Sequence, residues 1–278
     1  MIPFLHLGPL TIPTFGLMVA LALLVSAYVL QADINRRRGL LGHTKLATTV
    51  KNDEGFLVIG IAGIAGLIGA RLYHVLESPS EFFANPWPQL WSRFGFAWFG
   101  GFLGGFVALI FLARYHKVSI LEFFDICSPA ASVGYAIGRI GCFLSGDGDY
   151  GRPTSLPWGM SFPNGVVPTT QTCVEWGSTP DCRVHPAPLY ELVAWLVIAA
   201  ILWHLGTKAL KIQKPAGIIF CWYLILTGVA RFLVEIIRIN PRSFFGMSNA
   251  HTASVVSVIL GLALLWRITS RVRPVRET

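Results

Sequence analysis

Residues 14–38 read TFGLMVALALLVSAYVLQADINRRR, nineteen positions from Thr14 to Ala32 without a charge, followed by Asp33 and the basic cluster Arg36-Arg37-Arg38. A helix needs about 20 apolar residues to cross the hydrocarbon core of a bilayer, and this run supplies them. Met1–Leu10 carries no basic segment ahead of the run and the arginines follow it at once, so it reads as a retained span rather than a cleavable signal. The pattern recurs along the chain and predicts spans near 14–31, 56–75, 96–114, 122–144, 187–206, 216–237 and 248–267. The expectation is an all-α integral membrane protein of about seven helices, a single polytopic domain over 1–278. With 54% hydrophobic residues, 13% charged and a mean hydropathy of +0.60, the chain has more apolar surface than one water-soluble core buries.

Lys and Arg alternate in abundance along the connections. There are five in 32–55, two in 114–121, three in 207–215 and four in 267–278, against only Arg93, Arg152, Arg183 and Arg242 on the other side. The positive-inside rule then puts the N-terminus outside and the C-terminus in the cytoplasm. The net charge of +8 thus reads as a topology signal, and no nucleic-acid partner is expected because the basic residues sit in short loops rather than on one soluble face. Residues 145–186, rich in Gly, Pro, Ser and Thr, are long enough for a small head on the outer face. Cys173 and Cys182 fall in it, in a compartment that permits a disulfide, and either a loop-closing bond or two free thiols fits the spacing. No Cys/His spacing fits a closed zinc site.

Charge inside a span is costly enough to suggest function. Those charges are Arg71, Arg139, Glu191, Arg231, Glu235 and Arg238. In Arg231-Phe-Leu-Val-Glu235-Ile-Ile-Arg238 the spacing of four and three puts all three charges on one helix face, where Glu235 can pair with either arginine. Four arginines against two glutamates leave two positive charges over, and the missing partner reads as an anion. Guanidinium forks suit phosphate, and at this depth the phosphate is that of a phospholipid. Small residues recur at Gly60, Gly63, Gly66 and Gly69 and again at Gly100-Gly101 and Gly104-Gly105. They serve helix contact, and the Gly100-Gly101 pair also suits close approach of a ligand.

Two stretches are more specific: residues 138–153, GRIGCFLSGDGDYGRP, and 185–191, HPAPLYE. With Arg231, Glu235, Arg238, the start Phe15-Gly16-Leu17-Met18 and Leu156-Pro157-Trp158-Gly159, they resemble the prolipoprotein diacylglyceryl transferase family over nearly the whole chain. The resemblance implies a bacterial inner-membrane enzyme that moves the diacylglyceryl group of phosphatidylglycerol onto the lipobox cysteine of a preprolipoprotein and releases glycerol 1-phosphate. It implies no metal, nucleotide or other cofactor, membrane lipid and the signal peptide as partners, and a monomer. In that family the arginines matching Arg139 and Arg231 form the essential pair. Arg238, Glu235 and Asp147 match supporting positions and Gly151 matches a signature glycine, while Cys142, His185, Tyr190, Arg71, Gly100 and Gly101 complete the expected substrate contacts.

The chain departs from the family pattern in several places. It has Cys142 and Ser145 where asparagines are usual, Asp147 for a glutamate, one extra residue before Gly151, Phe15 for a tyrosine and Phe99 for a histidine. Since a phenyl ring accepts no proton, Glu235, Asp147, Tyr190 and His185 stay open as acceptors. Two other readings stay open: a catalytically silent lipid-binding homologue, or an organic-anion transporter, which predicts polar positions continuing into the cytoplasmic half, where the sequence offers only Glu122 and Asp125.

Overall fold

The computed structural model describes residues 1–41, 54–77, 79–84, 86–87, 97–242 and 246–271. In chain order they form β1 (Phe4–Leu7), β2 (Leu10–Pro13), α1 (Thr14–Leu41), α2 (Glu54–Glu77), α3 (Pro79–Ala84), α4 (Trp98–Tyr115), α5 (Ile120–Ser145), α6 (Thr169–Glu175), α7 (Ala187–Lys211), α8 (Ile218–Ile237) and α9 (Asn249–Arg271). Helices α1, α2, α5, α7, α8 and α9 are long and apolar enough to cross a membrane, and α4 is shorter at 18 residues. Their outward faces are apolar: Ile259, Leu260, Leu262 and Trp266 of α9 are all exposed, as suits a helix solvated by lipid. Lys45, Lys51, Arg93, Arg273 and Arg276 of the charge count lie outside the described residues.

Two features differ from the sequence reading. The chain opens with an antiparallel hairpin, Phe4 paired to Pro13 and Leu7 to Leu10, with Gly8 at positive φ in the turn. And α1 runs ten residues past position 31, through the arginine cluster. Asp33, with a fully buried side chain, makes this possible: Arg36 Nε donates to its Oδ1 at 2.9 Å and Arg37 Nε to its Oδ2 at 3.3 Å, pairs of i,i+3 and i,i+4 spacing.

The chain divides into two compact units, Met1–Ser26 with Phe124–Thr278, and Ala27–Phe123. In the second unit α2 packs on α4 through glycines. A Cβ on Gly100 would stand 2.2 Å from Gly69 O and 2.3 Å from Tyr73 Cβ, and one on Gly104 would stand 2.3 Å from Ala65 O. The backbone that Gly100 lets approach is therefore a neighbouring helix, the small-residue packing expected in lipid. Gly100→Ala must push the helices apart, at a cost of about 1–3 kcal/mol. Gly60 has open space around it, so Gly60→Ala is neutral or slightly stabilising. Thermal unfolding of both variants in detergent checks the contrast.

In the first unit α8 packs on both α7 and α9. Ile198 and Leu202 of α7 meet Ile219 of α8, and Ser257 Oγ of α9 donates to Leu224 O of α8 at 2.9 Å. Tyr135 of α5 stacks on Trp195 of α7 with centroids 4.4 Å apart. The start of α8 is capped from α5: Asp125 accepts from the N–H groups of Gly217 and Phe220, both at 2.7 Å. That side chain, counted above toward a transport path, is committed to a helix N-terminus.

Residues 146–186 build their own small core. Tyr150 stacks on Phe162 with centroids 4.4 Å apart, Cys173 and Val184 are buried beside them, and Cys173 is joined to Cys182 by a disulfide. Tyr150 OH donates to Val167 O at 3.1 Å.

Candidate active site

Arg139 on α5, Glu191 on α7 and the 231–238 face of α8 converge because their helices are held together by the contacts above. A fourth contributor, Asp149, comes from the loop after α5, and its position follows from a glycine. A Cβ on Gly151 would stand 2.6 Å from His185 Cβ and 3.0 Å from Ile237 O, so only glycine lets the chain pass there. The passage is fixed by Gly151 N–H donating to His185 O at 2.9 Å and Arg152 N–H to Ile237 O at 2.8 Å. Two residues upstream of this anchor, Asp149 projects onto the arginines.

The result is a closed ion-pair network of three arginines and three carboxylates. Glu191, with a fully buried side chain, sits at its hub: Oε2 lies 2.6 Å from Arg139 Nε and 3.7 Å from Arg238 Nη1, and Oε1 meets Arg231 Nη1. Glu235 Oε2 lies 2.8 Å from Arg231 Nη2 and 3.6 Å from Arg238 Nε, so it pairs with Arg231 of its own helix and with Arg238 just past the end of that helix. Asp149 bridges the remaining pair, one oxygen on Arg139 Nη1 and the other on Arg238 Nη2. Around this ring Arg139 Nη2 donates to Tyr135 OH at 2.6 Å, and Nη1 to Cys142 Sγ at 3.5 Å. Glu235 Oε1 accepts from Ser248 Oγ at 2.6 Å and from Asn240, and Ser248 Oγ lies 3.0 Å from His251 Nδ1.

This corrects the charge tally made from sequence, which left two positive charges over. It counted only carboxylates within helices, whereas Asp149 reaches the cluster from a loop and brings these three arginines to balance. Hydrogen bonding, unlike charge, is not balanced. Arg139 Nε and Arg238 Nε and Nη1 are buried without an aligned acceptor, and Glu191 Oε2 and Glu235 Oε2 without an aligned donor. Crowded guanidinium and carboxylate groups here attract by charge but do not saturate one another's directional bonds.

Asp147 stands apart from the arginines. Its Oδ1 accepts from Asp149 N–H at 3.3 Å, and burial, helped by the neighbouring Asp149 charge, raises its pKa above the ordinary carboxylate value. Burial works in the same direction on Asp149, but the Arg238 and Arg139 charges outweigh it and hold that pKa down to about 2. Cys142, Asp147 and Asp149 offer ligand atoms within 4.8 Å of one another. Arg139 already donates to that thiol and pairs with that aspartate, so the cationic charge there is a guanidinium.

His185 and Tyr190 form a second polar cluster at the start of α7. Tyr190 OH receives Trp158 Nε1–H at 2.8 Å and lies 3.1 Å from His185 Nδ1, and burial lowers the His185 pKa, favouring the neutral ring. Arg71, buried on α2, and Gly100 and Gly101 on α4 belong to the second compact unit. Sequence reasoning noted the charge of Glu191 without giving it a site role and passed over Asp149. The first had its signal in a carboxylate inside an apolar helix. The second had none short of the Gly151 passage.

The sequence model of prolipoprotein diacylglyceryl transferase matches residues 3–267. A phosphatidylglycerol-prolipoprotein diacylglyceryl transferase of Geobacter sulfurreducens is 31% identical over 96% of this chain and 95% of its own. Proteins of the same name from Bordetella bronchiseptica (31%, covering 94% of this chain and 92% of theirs) and Cupriavidus pinatubonensis (30%, covering 98% and 93%) are similar to the same extent.

Proposed function

Because the chain belongs to the prolipoprotein diacylglyceryl transferase family, we propose that it transfers the diacylglyceryl group of phosphatidylglycerol to the lipobox cysteine thiol of a preprolipoprotein, releasing glycerol 1-phosphate. The observation that carries this reading is the convergence of three guanidinium groups, those of Arg139, Arg231 and Arg238, on one cluster. Phosphate oxygens are the acceptors that guanidinium forks fit best.

In the reaction the acceptor sulfur attacks the glyceryl CH2 carbon of the lipid. The new S–C bond replaces the C–O bond to phosphate, and the electron pair leaves on a phosphate oxygen. Negative charge grows there as the bond breaks, and Arg139 and Arg231, already held in place by Glu191 and Glu235, stabilise it without exchanging a proton. A thiol near its reference pKa of about 8.5 is already a few per cent thiolate at neutral pH, and the arginines raise that fraction. Of the acceptors left open for its proton, Glu235 is engaged by Arg231, Ser248 and Asn240, whereas Asp147, Tyr190 and His185 lie outside the ion-pair ring.

The chain sits in a bacterial cytoplasmic membrane as a monomer, N-terminus out and C-terminus in, with residues 145–186 as the head on the outer face beside the site. The acceptor peptide, anchored by its own signal helix, enters laterally.

The test is transfer of labelled diacylglycerol from phosphatidylglycerol vesicles to a synthetic lipobox peptide by the purified protein, beside a peptide with serine for cysteine. Thioether product on the first peptide alone is expected. No product from well-folded protein would turn the reading to a silent lipid-binding homologue.

A further inference from the structure

The three carboxylates of the network are not equivalent. Glu191 and Glu235 project from helices and have fully buried side chains, while Asp149 comes from a loop and its side chain is 30% exposed. Its two oxygens are divided between Arg139 and Arg238. That is how two non-ester oxygens of a phosphate bridge a pair of guanidinium groups. The geometry points to Asp149 as an internal stand-in for the donor lipid's phosphate, closing the Arg139–Arg238 pair in the empty site and rotating out when the phosphate arrives. This inference rests on the reading that the phosphate binds those two arginines.

Charge selects the ligand that can make the exchange. With Asp149 withdrawn, three arginines face two glutamates and the cluster carries one positive charge. A phosphodiester, with a single negative charge, restores neutrality. The product is a phosphomonoester carrying about −1.5 to −2 at neutral pH, which overfills the site, so the return of Asp149 favours its release. Asp149 thus acts twice: it raises the threshold for binding and helps the product leave.

A closed state favoured ten to one over the open one weakens apparent affinity about tenfold. Asp149→Asn in the full chain should therefore bind short-chain phosphatidylglycerol about tenfold more tightly, and glycerol 1-phosphate more tightly still. In turnover, KM and kcat should both fall as product lingers, and Asp149→Glu should restore the wild-type pattern. A variant that binds the lipid more weakly, or equally, overturns the proposal.

A second measurement needs no variant. Carbodiimide labelling of wild-type carboxyls at about pH 5, read by mass spectrometry, should rise at Asp149 when short-chain phosphatidylglycerol is added, because a carboxyl released from two arginines returns toward its ordinary pKa. A fall or no change at Asp149 overturns it. Both readouts are independent of transfer. Tighter lipid binding by Asp149→Asn with no transfer by the wild type would sink the proposed function and keep this inference, and transfer by the wild type without the affinity change in the variant would do the reverse.

Discussion

Arg139→Ala lowers the transfer rate by at least about 10³-fold, the scale on which one preorganised donor to a developing charge acts. Arg139 touches Glu191, Asp149, Tyr135 and Cys142 from a single guanidinium. In the proposed reaction its removal withdraws both the fork offered to the phosphate and the charge that stabilises the leaving group. Arg139→Lys restores the charge but not the planar fork, and so recovers only a minor part of the rate. The measurement is kcat with labelled phosphatidylglycerol, with thermal unfolding as a control for folding. A loss under tenfold in a folded variant would place the departing phosphate elsewhere.

The helices were legible in the sequence because long apolar runs leave little choice of structure in lipid, where a backbone must bond to itself. What the pattern missed was local. The run ending near position 31 was closed too early because arginines were read as a boundary, while Asp33, three and four residues before Arg36 and Arg37, lets the helix continue. The hairpin at Phe4–Pro13 has strands of four residues each, too short to show a period.

The site was half legible for a related reason. Arg231, Glu235 and Arg238 share a helix face by spacing alone, and the two flanking motifs carried Arg139 and Glu191. Asp149 required tertiary information. The family pattern matched its acidic position to Asp147, with one residue too many before Gly151. In the structure the anchor is Gly151, wedged between His185 and Ile237, and counting back from it sets Asp149 against the arginines and Asp147 against the backbone of the same loop. Phe15, which stands where the family has a tyrosine, lies against Gly141 of α5.

Glu191→Gln tests whether the cluster depends on charge or on shape. The amide fills the same space and keeps an acceptor for Tyr135 OH, which lies 3.2 Å from Glu191 Oε1. It removes the one negative charge that all three arginines share, and leaves buried cations with two carboxylates among them. Breaking a buried pair from one side costs about 3–5 kcal/mol. At roughly 2–4 °C per kcal/mol for a chain of this size, the melting temperature in detergent should fall by about 10 °C. Transfer should fall at least about a hundredfold with it, since Arg139 and Arg231 lose the group that aims them. The two effects are separable by adding substrate. Phosphatidylglycerol returns a negative charge to the cluster, so it should raise the melting temperature of Glu191→Gln more than that of the wild type, while phosphatidylcholine, whose phosphate is matched by its own cation, should raise it less. Equal stabilisation of both proteins by both lipids would mean that the phosphate does not reach these arginines, and the ion-pair ring would then be an internal lock on α5, α7 and α8 with no part in binding the donor.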